Sequence, residues 1–374
     1  MAKRIPALAA GLACLALLVH VERAPERPLA HQPFPDAAEY ADSARSLARG
    51  DGFYTHVHEG GRQPPRYPPG FPLALTPFAT AGSYPRNVKL GAKAYAMFYV
   101  LVAVVAAWIL GGPLAAIIAA VLVGISPFAR DAAGLVMADA LVAALSVLPL
   151  ALMACATRSG ARLAGAATGL AAITRLTAGI NLIALLVAWP RKSIRTAVLY
   201  AVPALVGLAL LQWSMFGSPV KTGYDYWGVA GGTFALDQVL GDTTAREGPF
   251  ILADRLDGEL LDFVCPCPAG GAQIALPNLT FYPLVLLGAF WIFSPPLIPM
   301  LGLLYAWRRR REPVGRYALA LTALSLLVFV VYHFQGARFM AGPATVLTVL
   351  ASVWLADLAG RLRRRRGSPA TAFA

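Results

Sequence analysis

The sequence predicts an all-α polytopic membrane protein: a bundle of about ten helices with two long extracytoplasmic loops that carry juxtamembrane helices. Three observations lead there. The chain has 374 residues, 58% of them hydrophobic and only 14% charged, with a mean hydropathy of +0.61; a soluble domain sits nearer 45–50% apolar with about a quarter charged. Apolar runs of roughly 18 or more residues recur along the whole length, and helices of this kind span because they satisfy their own backbone groups. The net charge of +13 is sorted by side rather than spread. Placing both termini and four short loops in the cytoplasm collects 17 basic residues there, among them Lys3, Arg4, Arg191, Lys192, Arg308 to Arg311 and Arg363 to Arg366, against two acids, Glu312 and Asp357. The other 15 basic and 17 acidic residues fall on or near the opposite side. This is the positive-inside pattern, and it removes nucleic acid from the expected partners.

Taken in order, the spans fall at about 5–21, 88–110, 113–126, 136–156, 163–175, 177–190, 196–216, 281–306, 317–334 and 339–358. The first could be a signal peptide, but no small-x-small cleavage site follows before Glu22, so it reads as an uncleaved helix. An even count puts both ends in the cytoplasm, as the basic tail 361–374 demands. Trp108, Trp189, Trp213, Trp307 and Trp354 fall near span ends, where indole rings favour the interface. The fifth and sixth spans are short, and one long helix is the alternative. That helix would bury Arg175 at mid-membrane and make the count odd, so a hairpin with Arg175 at its outer tip is expected. Gly165 and Gly169 would let backbones approach closely there.

The chain 1–374 reads as a single transmembrane domain with two long external loops, 22–86 and 217–280, and loops of that length are usually functional. The first opens with PDAAEYADSARSLARGDGFY, a helical stripe of small and apolar residues that suggests a helix lying along the membrane surface. Asp36 follows Pro35 at its start, where a helix cap is the plainest role. RYPPGFPLAL follows: Pro68 and Pro69 stiffen a turn, Gly70 permits it, and the apolar run returns to the interface. Of the cysteines, Cys14 and Cys155 read as core residues, and Cys265 and Cys267 as part of a loop turn. Asn278-Leu279-Thr280 matches a glycosylation acceptor too common by chance to carry weight.

Asp36, Tyr40, Ala44, Leu47 and Gly50, with YPPGFPL after them, resemble the first external loop of GT-C membrane glycosyltransferases, above all the group of protein O-mannosyltransferases and aminoarabinose–lipid A transferases. Three later stretches are similar to the same family: GAATGLAAITRLT, FGSPVKTGYDYW and GARFMAGPATVL. The order and spacing of the four carry the resemblance. The chain departs from the pattern where Ala37 follows Asp36, where Gly342 precedes a single Pro343, and where Tyr67 stands in the place that a basic residue takes in many relatives.

The resemblance implies a GT-C-like bundle that moves a sugar from a polyprenyl-phosphate carrier to a lipid, glycan or protein acceptor on the outer face of the inner (plasma) membrane. Such a transfer needs a base for a hydroxyl acceptor and cations for the departing phosphate. Asp36 is the expected base. Asp139, at the outer end of the fourth span, is the second catalytic acid, with solvation of a helix end as its plainer role. Arg175 and Arg338 are expected to clamp the donor phosphate, with snorkelling to lipid phosphates as the alternative, and Arg66 is a third candidate. Tyr40, Tyr67, Tyr224, Tyr226 and Trp227 are the aromatic candidates for sugar or acceptor, interface anchoring being equally open for the last three. His333 reads as a packed interfacial residue and Arg130–Asp131 as a local surface pair. A divalent ion, Mg or Mn, stays open, and no other cofactor is expected. A lipid or solute transporter is the competing class. Transporters, however, place ionisable groups at mid-membrane and show paired repeats, and neither appears here.

Overall fold

Long apolar runs broken by Pro, Gly and Arg fold as helices of very different lengths. The computed structural model describes residues 4–29, 32, 36–57, 61–80, 83–230, 271–288, 291–330 and 337–367. Cys265, Cys267 and His333 lie outside these residues, and so does most of the second long loop. The helices are α1 (Arg4–Glu22), α2 (Asp36–Arg49), α3 (Gly70–Ala79), α4 (Arg86–Gly124), α5 (Pro127–Gly134), α6 (Asp139–Ala154), α7 (Arg158–Thr174), α8 (Ile180–Ala188), α9 (Arg191–Phe216), α10 (Gly223–Ala230), α11 (Gly271–Leu286), α12 (Ile298–Arg308), α13 (Pro313–Val330) and α14 (Ala341–Gly367). Two short 3-10 turns, Leu176–Gly179 and Ala337–Met340, precede α8 and α14. No strand occurs among the described residues; Thr55 and Gln63 form an isolated bridge in the first loop.

Four of the described helical segments are long and apolar enough to cross a membrane: Arg86–Gly124, Lys192–Phe216, Pro313–Val330 and Ala337–Arg364. The first contains a reversal. Gly112 takes φ 75°, Pro113 follows, and the rings of Tyr99 and Phe128 lie 5.5 Å apart, which a straight helix could not allow. Its two arms correspond to the expected spans 88–110 and 113–126.

The Arg175 region also doubles back. The peptide at Arg175 is extended (φ −152°, ψ 122°), which ends α7. Gly165 meets the Ala197 backbone and Gly169 meets Ala201, so α7 and α9 run parallel, and α8 must return between them. A Cβ on Gly165 would collide with the Ala197 carbonyl. One long helix through Arg175 is therefore excluded.

Two expectations are corrected. The span 281–306 is not one helix: α11 stops at Leu286 and α12 begins at Ile298. Pro295 and Pro296 cannot continue a helix. The intervening loop turns at Gly288 (φ 76°) and Leu297 (φ 67°), and the Leu297 N–H closes it onto the Leu287 carbonyl at 3.0 Å. The amide of Asn278 in α11 caps the last carbonyls of α13, Phe329 and Val330, at 3.2 Å each.

The second correction concerns α2, which was expected to lie on the membrane surface. It is instead enclosed by protein, with Asp36, Glu39, Asp42, Ser43 and Ser46 all buried. Its polar groups are met from the first loop. Asp42 accepts from the His56 N–H at 2.5 Å and the Thr55 hydroxyl at 3.3 Å, and Glu39 accepts from the Arg66 N–H at 2.9 Å. Two smaller readings change as well: Arg27 rather than Arg130 pairs with Asp131, at 3.2 Å, and Cys155, expected in the core, is exposed, whereas Cys14 is buried.

Candidate active site

Both acids singled out by the sequence open a helix. Asp36 is the first residue of α2 and Asp139 the first of α6, where the positive end of the helix dipole favours a carboxylate. The two candidate clamps sit where helices break, Arg175 between α7 and its 3-10 turn and Arg338 within the turn before α14. These four residues come from distant parts of the chain and meet at one place.

They meet as two ion pairs. Arg338 Nη2 donates to Asp36 Oδ2 at 2.8 Å, and Arg175 Nη1 donates to Asp139 Oδ1. Both guanidiniums rest on one ring: Arg175 lies 5.0 Å and Arg338 5.6 Å from the centroid of Phe339. Arg338 also contacts the Met137 sulfur at 3.8 Å. The Asp139 side chain is 4% exposed and that of Arg175 15%, against 12% for Asp36 and 26% for Arg338. The outer pair is thus the more accessible one. Each arginine spends one nitrogen on its carboxylate, and a guanidinium has five N–H donors, so both retain donors for an anion.

The proline turn positions the base candidate. The Tyr67 hydroxyl, on the residue before the two prolines, donates to Asp36 Oδ1. Burial, then the neighbouring Asp36 carboxylate, pushes this phenol well above its ordinary range, so it remains a donor. The Tyr67 ring lies 4.9 Å from Tyr40, which is held edge-on by Phe71 at 5.1 Å. Gly70 seats the turn against the end of α7: a Cβ there would lie 2.6 Å from the Thr174 nitrogen, one residue before Arg175. One rigid segment therefore touches both halves of the site.

The other candidates fall at or beyond the edge. Arg66 does not join the arginine pair. Its N–H is bound to Glu39, and it lines a separate slot with Phe53, Leu176, Gln212 and Phe216. Tyr224 meets Tyr67 edge-to-face at 5.6 Å. The Tyr226 hydroxyl donates to Gln63 Oε1 at 3.1 Å and so ties the second loop to the first. The Trp227 side chain lies outside the described residues. A capping box starts this helix: Thr222 donates N–H and hydroxyl to Asp225, both at 2.8 Å, and these bonds lower the Asp225 pKa.

Among the described residues no three His, Cys, Asp or Glu side chains converge as a metal site. A divalent ion at Asp36 or Asp139 would compete with a guanidinium for each carboxylate. Sequence reasoning missed Phe339, Met137 and Glu39. Phe339 adjoins Arg338 and Glu39 lies one turn after Asp36, so adjacency was the available signal; Met137 had none.

Fold and site together define an all-α membrane bundle, with several helices long and apolar enough to cross a bilayer and with paired acids and arginines gathered at helix ends. Three solved structures are similar over nearly all of this chain. The oligosaccharyltransferase of Archaeoglobus fulgidus tethered to an acceptor peptide superposes with a TM-score of 0.59 at 16% identity, covering 97% of this chain and 51% of that one. The same enzyme in complex with Zn and sulfate gives 0.54 at 14% identity over 94% and 51%. ArnT from Cupriavidus metallidurans bound to undecaprenyl phosphate gives 0.53 at 16% identity over 96% and 62%. The likeness is one of fold, and the chain spans only about half to three-fifths of those proteins. No family model and no curated protein sequence matches it.

Proposed function

We propose that the protein is an integral-membrane glycosyltransferase that takes a sugar from a polyprenyl-phosphate carrier and passes it to an acceptor on the extracytoplasmic face of the inner membrane. One observation carries the reading: two arginines lie over the single ring of Phe339 and each pairs with a carboxylate, the four residues coming from four separated segments. The structural neighbours support the reaction class, since one of them is an oligosaccharyltransferase and another binds undecaprenyl phosphate.

In this reading Arg338 and Arg175 hold the carrier phosphate with the donors their carboxylates leave unused. The acceptor hydroxyl approaches Asp36, whose two oxygens offer about four lone pairs and spend two on Tyr67 and Arg338. The acceptor oxygen forms the new bond to the anomeric carbon as the carbon–phosphate oxygen bond breaks. Asp36 takes the acceptor proton, and the polyprenyl phosphate leaves with the bonding pair, its charge met by the two guanidiniums. A phosphate leaves without being protonated, so no general acid is required, in contrast to glycoside hydrolysis. Asp139 keeps Arg175 aimed at the phosphate.

The test uses purified protein in membranes that contain candidate acceptors, with labelled polyprenyl-phosphate sugars added. Formation of free polyprenyl phosphate with a glycosylated acceptor supports transfer. Movement of an intact lipid across the bilayer with no donor consumed would instead make the protein a transporter.

A further inference from the structure

Below the arginine pair a narrow slot runs into the bundle between α6, α8, α13 and α14. Its mouth holds Arg175, Arg338 and Asp139, the only charged residues in its lining. One wall is aromatic: Phe339 stacks on Phe329 with centroids 5.2 Å apart and planes at 10°. The floor is polar although it lies inside a membrane bundle. Ser146, Asn181 and Ser325 line it and are 2%, 1% and 0% exposed.

These polar groups are only partly used. Ser146 donates to the Val142 carbonyl at 2.8 Å and keeps its lone pairs. Asn181 donates to the Ala178 carbonyl at 2.9 Å and accepts from Tyr317 at 3.3 Å, leaving one amide N–H. The Ser325 hydroxyl is buried and makes no hydrogen bond among the described residues. A buried hydroxyl without a partner is destabilising, and a native protein that keeps one has a reason. A hydrocarbon tail would leave the Ser325 hydroxyl and the spare Asn181 N–H unmet, whereas a sugar presents hydroxyls to them and a C–H face to the aromatic wall.

We infer that this slot receives the transferred glycosyl group, and that it selects an uncharged monosaccharide over an amino sugar or a uronic acid. The inference rests on the transferase reading. Selectivity follows from charge. Asp139 is the one acid in the lining and is spent on Arg175, so an ammonium on the sugar would be buried without a counter-ion. A carboxylate would lie below the arginines with only hydroxyl and amide groups around it. The slot measures about 20 Å³, the room of one water. A sugar ring therefore enters only as the slot widens, the turn that carries Arg338 and Phe339 shifting as one piece. Phe339 rides on the same short turn as Arg338, which a bound phosphate attracts.

The test measures equilibrium binding to the full chain in nanodiscs, which needs no acceptor. Three probes are compared: the methyl ester of polyprenyl phosphate, the carrier bearing a neutral hexose, and the carrier bearing an amino-deoxy pentose. The hexose probe binds about tenfold more tightly than the methyl ester, the worth of one or two hydrogen bonds, and the amino sugar gains nothing. Ser325→Ala removes most of the hexose gain and leaves methyl-ester affinity unchanged. If no probe binds, the transferase reading falls and this inference with it. If the methyl ester binds but the hexose adds nothing, or Ser325→Ala keeps the gain, the slot is not the sugar site. An amino sugar that gains as much as the hexose overturns the selectivity alone.

Discussion

Asp36 and Asp139 carry the same chemistry in different settings, and the difference decides what each substitution does. Asp139 and Arg175 are deeply buried, so Asp139→Leu strands an arginine and costs about 3–5 kcal/mol of stability; thermal unfolding in detergent reads this as a large drop in Tm. Asp36 faces the more exposed Arg338, so Asp36→Asn costs less stability but lowers kcat by roughly 10²–10⁴, because the proposed base is lost. Phe339 supports both guanidiniums at once. Phe339→Leu raises the Kd for the carrier phosphate by about 5–10-fold, and Phe339→Trp restores it, since the face of the indole holds a cation better. Equal affinity for the Leu and Trp variants would show the ring to be mere packing. All four ionic residues could be named from the sequence as candidates: Arg175 and Arg338 because a lone guanidinium between apolar segments wants an anion, Asp36 and Asp139 through the family resemblance. That the arginines are neutralised by carboxylates was not legible, since it depends on contacts between segments as distant as residues 36 and 338.

The elements that build the site are stiff where the chain reverses. The turn at Pro68, Pro69 and Gly70 fixes the Tyr67 hydroxyl on Asp36 and packs against the end of α7, which is the work such a rigid turn does outside the membrane. Gly70→Ala must push its methyl into the backbone of Ile173 and Thr174, at a cost of about 1–3 kcal/mol. It is expected to lower Tm and to reduce turnover more than carrier binding; unchanged melting and turnover would show that the close approach is not needed. Helix periods and breakers were readable here, and so was the hairpin at Arg175. The split of 281–306 was visible in Pro295 and Pro296, but a uniformly apolar run concealed it. The burial of α2 was not visible: an amphipathic stripe looks the same whether it meets lipid or protein, and only the partners of Glu39 and Asp42 tell the two apart.

For the whole molecule, the bundle holds the four ionic residues at helix ends on one side, while Arg308 to Arg311 and the arginines that end α14 lie at the other ends of their helices. In the proposed topology, which follows the sorting of charge, the site faces outward. With the four native cysteines replaced by serine, Asp51→Cys, at an exposed position of the first loop, should react with a membrane-impermeant maleimide added to intact cells, and Arg310→Cys only after lysis. The opposite pattern would invert the topology and move the chemistry to the cytoplasm. Fold class was readable from composition and the order of motifs. The sugar, the acceptor and the shape of the slot were not, because they depend on side chains such as Asn181 and Ser325 that no motif marks.

The account depends on Asp36 accepting the proton of the acceptor while two arginines hold the departing phosphate. The most direct measurement is release of free polyprenyl phosphate from a sugar-bearing carrier by wild-type protein and by Asp36→Asn, with carrier binding followed in parallel. The account predicts release by the wild type and a loss of at least about 100-fold in the variant, with carrier affinity within a few-fold. Equal release by both proteins would contradict it.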